Sequence, residues 1–261
     1  MNNQSEKRIH STSSVSTTCQ NCKQDFTIEP DDFGFYEKIK VPPPTFCSEC
    51  RRQRRLTWRN DFVFYNRICD LCKRNIISIY SPDSSHIIYC NKCWWGDSWD
   101  PYSYGRDFDF SRPFFEQFNE LRLKVPTLAL VNDNGIGSTN CEYTQDFAFG
   151  RNCYMAIVAW KLEDCMYICY GADTKDCVDC MGVMDFSEGL YESMYSEKCF
   201  GCRQVYDSSA LVNCYYCYDC SGCEFCFQSV SLRNKKYCIK NKQYSKENYE
   251  KIIKSYRLDT W

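Results

Sequence analysis

Histidine is scarce: His10 and His86 are the only two among 261 residues. Triads and most proton relays near neutral pH rest on a positioned imidazole, so His-based hydrolysis has little to build with. A two-carboxylate mechanism stays open, because the chain carries 34 Asp and Glu. Also missing is any apolar run near the ~20 residues needed to span a bilayer. Met1 to Thr18 is polar, with Ser, Thr and Asn where a secretion signal needs a hydrophobic segment. These absences point to a cytoplasmic, reducing compartment. With 44% hydrophobic residues, a chain of this length can bury real cores, in one large domain or two to three small ones.

What the chain has in excess is cysteine, 22 in all. In a small secreted protein that would mean disulfides; here, with repeated CxxC pairs, reduced thiols that bind metal or pack are expected. A tetrathiolate zinc site is usually delivered by two knuckles, each a CxxC whose tight turn aims both sulfurs at one point. The pattern occurs twice. Cys19, Cys22, Cys47 and Cys50 read CQNC, 24 residues, CSEC; Cys69, Cys72, Cys90 and Cys93 read CDLC, 17 residues, CNKC. Two structural Zn2+ ions are therefore expected, since four thiolates leave no open position for a catalytic water. Buried free thiols are the alternative. Between the second pair, NIISIYSPDSSHIIYC flanks a turn former with two β-branched runs, which predicts a hairpin feeding into the knuckle.

Over residues 19–55, CQNCKQDFTIEPDDFGFYEKIKVPPPTFCSECRRQRR resembles a bacterial zinc-ribbon domain family. Cys19, Cys22, Phe26, Phe35, Tyr36, Pro44, Cys47, Cys50 and Arg51 carry the resemblance. It implies zinc binding and brings no activity with it. The whole chain is also similar to uncharacterised cysteine-rich zinc-ribbon proteins of small-genome bacteria and large DNA viruses, a likeness that implies no function.

RRQRRLTWR sets Arg51, Arg52, Arg54, Arg55 and Arg59 beside Trp58. Guanidinium forks match phosphates and an aromatic ring stacks on an exposed base, so this is the candidate nucleic-acid surface. A zinc held by four thiolates is itself an anion, however, so these arginines can instead balance it or meet a protein partner. Residues 141–240 carry 9 Lys and Arg against 14 Asp and Glu. A polyanion would be repelled there, which leaves any nucleic-acid role to the ribbons.

An aromatic segment follows the second ribbon. Ser111 reads as a helix N-cap and Pro113 suits a first turn, with Phe114, Phe115, Phe118 and Leu121 on one face; a helix is predicted near 112–124. Trp94, Trp95 and Trp99 read as the core of a small domain, with a ligand-stacking platform as the alternative. VNDNGIGSTN at 131–140 reads as a loop.

Cysteine then recurs every twelve residues, at 141, 153, 165 and 177 and, after two periods plus one inserted residue, at 202, 214, 226 and 238. A fixed period with Tyr, Val and Cys enrichment and no proline after Pro126 predicts a β-solenoid whose units stack to bury a narrow core. Asn140, Asn152, Asp164, Asp176 and Asn213 stand just before repeat cysteines, as a corner recurring once per unit would need. Whether one or two units make a rung stays open. CYYCYDCSGCEFC, residues 214–226, reads as one coil whose inward positions are mostly cysteine, and Cys169 alone falls off the lattice. Iron–sulfur ligation and disulfides are the rival readings of these thiols. Ser245 caps a last helix whose Tyr249, Ile252, Ile253 and Tyr256 close the final rung; the bridging helix is expected to cover the other end.

The chain thus reads as mainly β: a tail (1–18), zinc ribbon 1 (19–60), zinc ribbon 2 (61–100), a helical bridge (101–140), a β-solenoid of 12-residue repeats (141–244) and a capping helix (245–261). The function expected is a non-enzymatic zinc-binding adaptor that contacts a protein or nucleic-acid partner and neither a membrane nor a small-molecule substrate. A scaffold with protein-only contacts is the alternative, and a thiol-redox or carboxylate enzyme a third.

Overall fold

A computed structural model describes residues 14–57 and 60–256. The chain divides into two compact units, Met1–Asn60 and Asp61–Trp261. His10, Trp58 and Arg59 lie outside the described residues.

In the first unit, β1 (Val15–Thr18) pairs antiparallel with β2 (Asp25–Ile28), so part of the segment read as a tail is strand. The CQNC turn joins them. Pro30 opens α1 (Pro30–Lys38), and α2 (Ser48–Leu56) starts within CSEC.

The second unit begins with the same device: β3 (Tyr65–Ile68) and β4 (Asn75–Ser78) pair antiparallel across the CDLC turn. This overturns the hairpin expected between NIISIY and HIIY, because β5 (Ile88–Tyr89) instead pairs in parallel with β6 (Thr127–Leu128). The knuckle closes β3 on β4 through the short Cys69–Arg74 turn, whose loop-closure cost is lower than that of the longer Pro82 segment. Ser78 Oγ donates to the Ala129 carbonyl (3.1 Å) and Asn91 Nδ2 to that of Asn132 (2.5 Å), fastening the module to the strand that leads into the solenoid.

Of the three tryptophans, Trp94, in the short helix α3 (Asn91–Trp94), and Trp99 pack as expected, with ring centroids 4.7 Å apart and Trp99 against Tyr89. Trp95 is 73% exposed. Helix α4 (Phe114–Lys124) forms where predicted, but Pro113 is its N-cap; Ser111 bonds back to Asp109 instead. Its aromatic face is not buried: Phe114, Phe115 and Phe118 are 56%, 79% and 48% exposed, so the helix does not serve as the cover expected over the first coil.

The solenoid is one sheet of ten strands in chain order: β7 (Thr144–Ala148), β8 (Tyr154–Glu163), β9 (Met166–Lys175), β10 (Val178–Val183), β11 (Met194–Glu197), β12 (Arg203–Ser209), β13 (Tyr215–Tyr218), β14 (Glu224–Phe227), β15 (Lys236–Ile239) and β16 (Lys242–Gln243). Thr144 pairs with Ala156, Ala156 with Ile168, Arg203 with Tyr215 and Cys226 with Cys238, each twelve residues on. One repeat is therefore one rung, which at about 4.8 Å per rung makes the Cys141-to-Cys238 stack roughly 40 Å long. Val178 pairs with Tyr191 and Met184 with Glu197, thirteen on, while Glu188 and Phe200 are again twelve apart. The inserted residue lies between them, where Asp185 and Phe186 are both left-handed (φ 55° and 61°).

Within each rung the backbone has a sub-period of three. Left-handed residues recur at nearly every third position, as in Asn152, Met155, Val158, Lys161 and Asp164, with φ of 53° to 55°. A rung thus has four corners where the Asn and Asp positions suggested one. Each non-glycine corner costs on the order of 1 kcal/mol. The ladder offsets it: Asn152 N–H donates back to the Thr139 carbonyl and Arg151 N–H forward to that of Leu162, and this pairing repeats up the stack. On one exposed edge the corner side chains also link, Asn140 to Asn152 to Asp164.

In most of the stack the residue after a corner points inward and is small or aliphatic; Phe147 is a buried aromatic, and Phe186 at the insertion and Lys235 near the last rung are exposed. Cys202, Val205, Ser208 and Leu211 fill one rung, and Cys214, Cys217, Cys220 and Cys223 the next, all buried. CYYCYDCSGCEFC is therefore a rung whose four inward positions are all cysteine. Helix α5 (Lys246–Ser255), capped by Ser245, closes the last rung with Tyr249 and Ile253 on Phe227 and Ile239; Ile252 is half-buried and Tyr256 largely exposed.

Candidate metal centres

Both CxxC knuckles that follow a first strand are built alike. Cys19 N–H donates to the Gln24 carbonyl and Lys23 N–H to that of Cys19; Cys69, Arg74 and Lys73 repeat the two bonds at the same lengths, 2.9 and 3.0 Å. Lys23 and Lys73 are left-handed (φ 63° and 61°), which turns the chain so that both sulfurs of a pair face one point. The second pair of each set sits at a helix start: Cys47 is the N-cap of α2 and Cys90 of α3. Unpaired N–H groups and the positive end of a helix favour a thiolate there.

The four sulfurs of Cys19, Cys22, Cys47 and Cys50 lie within 4.8 Å of one another, as do those of Cys69, Cys72, Cys90 and Cys93. All eight sequence-predicted ligands are thus brought together as assigned. Cys22 to Cys47 and Cys72 to Cys90 are each 3.8 Å apart. A metal held at about 2.3 Å by four tetrahedral thiolates has S–S edges of about 3.8 Å, so the donor set fits such an ion. Four thiolates would complete the coordination sphere of such an ion.

Further hydrogen bonds aim at the sulfurs. Cys47 N–H donates to Cys19 Sγ and Cys90 N–H to Cys69 Sγ, both at 3.3 Å. Burial pushes the Cys19 thiol up, but the backbone N–H groups of Cys47, Cys22 and Asn21 together hold it at about 6. Arg74 donates to Cys72 Sγ (3.4 Å) and reaches Cys90 Sγ (4.0 Å); its bond holds the Cys72 thiol at about 6. In the first set Asn21 Nδ2 donates to Cys50 Sγ at 3.3 Å. Arg74 and Asn21 were not anticipated; their only signal is position, two residues after Cys72 and one before Cys22.

Arg51, Arg52, Arg54 and Arg55 lie on α2. Arg52, Arg54 and Arg55 are exposed and Arg51 half-buried. Arg52 forks onto Glu49 (2.9 and 2.7 Å) and Arg54 lies over the Phe46 ring at 4.9 Å.

In the solenoid the thiols do other work. Cys153, Cys165, Cys177, Cys202 and Cys214 Sγ each donate to the carbonyl two residues back, at 3.1–3.5 Å. Ser193, Ser196, Ser208 and Ser229 make the same bond from the same inward position. Among the described residues the two tetrads are the only metal-competent groups of three or more Cys, His, Asp or Glu, and all 22 cysteines are free. Cys177 with Cys180 and Cys199 with Cys202, the pairs a redox enzyme would use, are buried.

No helix among the described residues is long and apolar enough to cross a membrane. No protein-family model matches the chain, and a search of curated proteins found no match.

Proposed function

We propose that the two tetrads are structural Zn2+ centres of zinc-ribbon modules, and that the protein is a non-enzymatic adaptor holding a macromolecule. The observation that carries the metal reading is the convergence of four sulfurs, twice, within 4.8 Å of one another, with one edge of each set at 3.8 Å. Thiolates and tetrahedral closure favour Zn2+ among divalent ions. Elemental analysis tests it: two zinc and no iron per chain are expected, and iron with a visible absorption band would replace the reading.

Nucleic acid is the partner we infer, through α2. The sulfurs of the first tetrad take side-chain support from Asn21, while Arg52, Arg54 and Arg55 are exposed, Arg52 with its fork on Glu49, which a phosphate would displace. Their forks suit phosphates, and contacts of that kind weaken as counterions are added. Salt-sensitive RNA or DNA binding is expected, and changing Arg51, Arg52, Arg54 and Arg55 together to Ser should abolish it. If binding is absent, or unaltered in that variant with its zinc retained, the second reading takes over. That reading is a scaffold with protein contacts, favoured by exposed solenoid tyrosines: Tyr143, Tyr154 and Tyr167 run up one side with rings 5.4 and 5.7 Å apart.

A further inference from the structure

Cys169 is the one solenoid cysteine that does not face the core; it is half-buried on the outer side of β9. The register supplies its neighbours. Met181 is the Cα partner of Cys169 on the next rung, and Met194 is the partner of Met181 on the rung after that. In-register parallel partners project to the same side about 4.8 Å apart, so a thiol and two thioethers form a short column. Ile157 flanks the column on one side and Tyr206 on the other, which ends the run of sulfur at three. Met181 is half-buried and Met194 is 42% exposed. Five of the six methionines in the chain fall between residues 155 and 194, so this is its one methionine-rich stretch.

The chemistry of this set differs from that of the tetrads. Thioethers are soft, uncharged donors on a three-rotor chain that can swing onto a shared ion. One thiolate with two thioethers selects a soft monovalent cation over Zn2+, whose protein ligands are thiolate, imidazole and carboxylate. The Asp61 carboxylate adds negative charge beside the site: burial and then Asp61 push the Cys169 thiol up. A bound cation would meet that charge favourably.

We propose that Cys169, Met181 and Met194 form a surface site for Cu(I). Binding forms one Cu–S bond at the Cys169 thiolate, with the thiol proton released to solvent, and two dative bonds from the thioethers. No electron is transferred. The cation and the thiolate cancel, so the centre carries no net charge. It is independent of the zinc reading.

The test uses the full chain as purified, with its metal content measured first. Ag(I), a redox-inert Cu(I) analogue, is titrated in while the methionine methyl groups, labelled with 13C, are followed by NMR and released zinc is assayed. The first equivalent is expected to shift the Met181 and Met194 methyls and to leave those of Met155, Met166 and Met184 in place, with no metal released. Anaerobic Cu(I) competition should then show one tight equivalent that is lost in Cys169→Ser and in Met181→Leu/Met194→Leu, both of which should keep the parent far-UV spectrum. If the first equivalent leaves both methyls unmoved, or displaces metal from the tetrads, or persists in the double Leu variant, the site does not exist.

Discussion

In the two hairpin modules the sulfurs that converge come from pairs far apart in the chain, and each faces three others across a space the size of an ion. In the solenoid the inward thiols come from rungs twelve residues apart or corners three apart, and each donates its S–H to a carbonyl two residues back. The difference teaches that spacing alone does not decide what a CxxC is for. Where a knuckle turn and a helix start aim two pairs at one point, the thiols can lose their protons to a metal. Where one of the two residues between the thiols is a left-handed corner, each thiol donates to a carbonyl two residues back and packs.

Replacing a tetrad ligand should break that comparison most visibly. Cys69→Ser is expected to lower bound metal from two equivalents to one and to make the segment from Tyr65 to Cys93 sensitive to protease, while the solenoid keeps its far-UV signal. Metal binding to such modules is worth about 10–16 kcal/mol and is in effect their folding energy. Elemental analysis with limited proteolysis checks this, and two retained equivalents would count against a tetrathiolate centre.

The pH response should carry both signs. A tetrad must shed protons to hold its ion, so metal is lost on the acid side. In the solenoid, Cys153 and Cys180 act on the alkaline side. Burial pushes the Cys153 thiol up to about 12 and the Cys180 thiol to about 11. A group whose folded pKa is raised contributes stability that is complete below its unfolded value, near 9, and lost as pH rises through the folded one. The Cys153 and Cys180 contributions should therefore be complete up to pH 9 and decline toward 12, whereas Cys226, held at about 6 by its bond with Cys214, contributes stability that is lost as pH falls through that value; denaturant midpoints across both windows read the two signs. A midpoint insensitive to pH between 9 and 12 would mean that Cys153 and Cys180 ionise in place.

Inside the core, side-chain type should matter more than sulfur. Leu211 is wholly buried, and Leu211→Ala is expected to cost about 2–5 kcal/mol through lost contacts and a cavity. Cys217→Ser should cost only about 1 kcal/mol or less, because the hydroxyl replaces the thiol as donor to the Tyr215 carbonyl. Urea unfolding of the two variants checks the order, and a Ser variant as damaged as the Ala one would point to a sulfur-specific role.

Much of this contrast was legible in the chain. The paired CxxC runs marked both tetrads, the twelve-residue recurrence marked the rungs, and Ser245 with Tyr249 and Ile253 marked the closing helix. The three-residue sub-period showed in CYYCYDCSGCEFC alone; elsewhere it was hidden, because inward positions accept Cys, Ser, Ala, Thr, Val and Leu alike and so carry no hydropathy signal. Corners were hidden for a related reason. The ladder holds Met155, Val158 and Tyr167 left-handed, although their side chains prefer otherwise, so local preference marked only the Asn and Asp corners. The pairing of β4 with β3 was hidden because YNRI holds a single β-branched residue and gives little strand signal, whereas HIIY gives a stronger one; the knuckle turn decides. The aromatic face of α4 looked like core and is exposed, since periodicity shows that a stripe exists and not what lies against it.

The outward side chains should respond least of all. Glu163 accepts from Arg151 on the rung before and meets Lys175 on the rung after at 3.6 Å, giving a three-charge column on the side opposite in character to the tyrosines. Both cations stay largely solvated, so the pairing is screened and each bond is worth less than about 1 kcal/mol. Glu163→Gln keeps a hydrogen-bond acceptor for Arg151 while removing the charge, and should move the urea midpoint less than Cys217→Ser does. Repeating the measurement in high salt should erase what difference remains. A larger loss would mean that this edge, rather than the stacked interior, sets the register of the rungs, and the twelve-residue lattice would have to be explained from its surface inward.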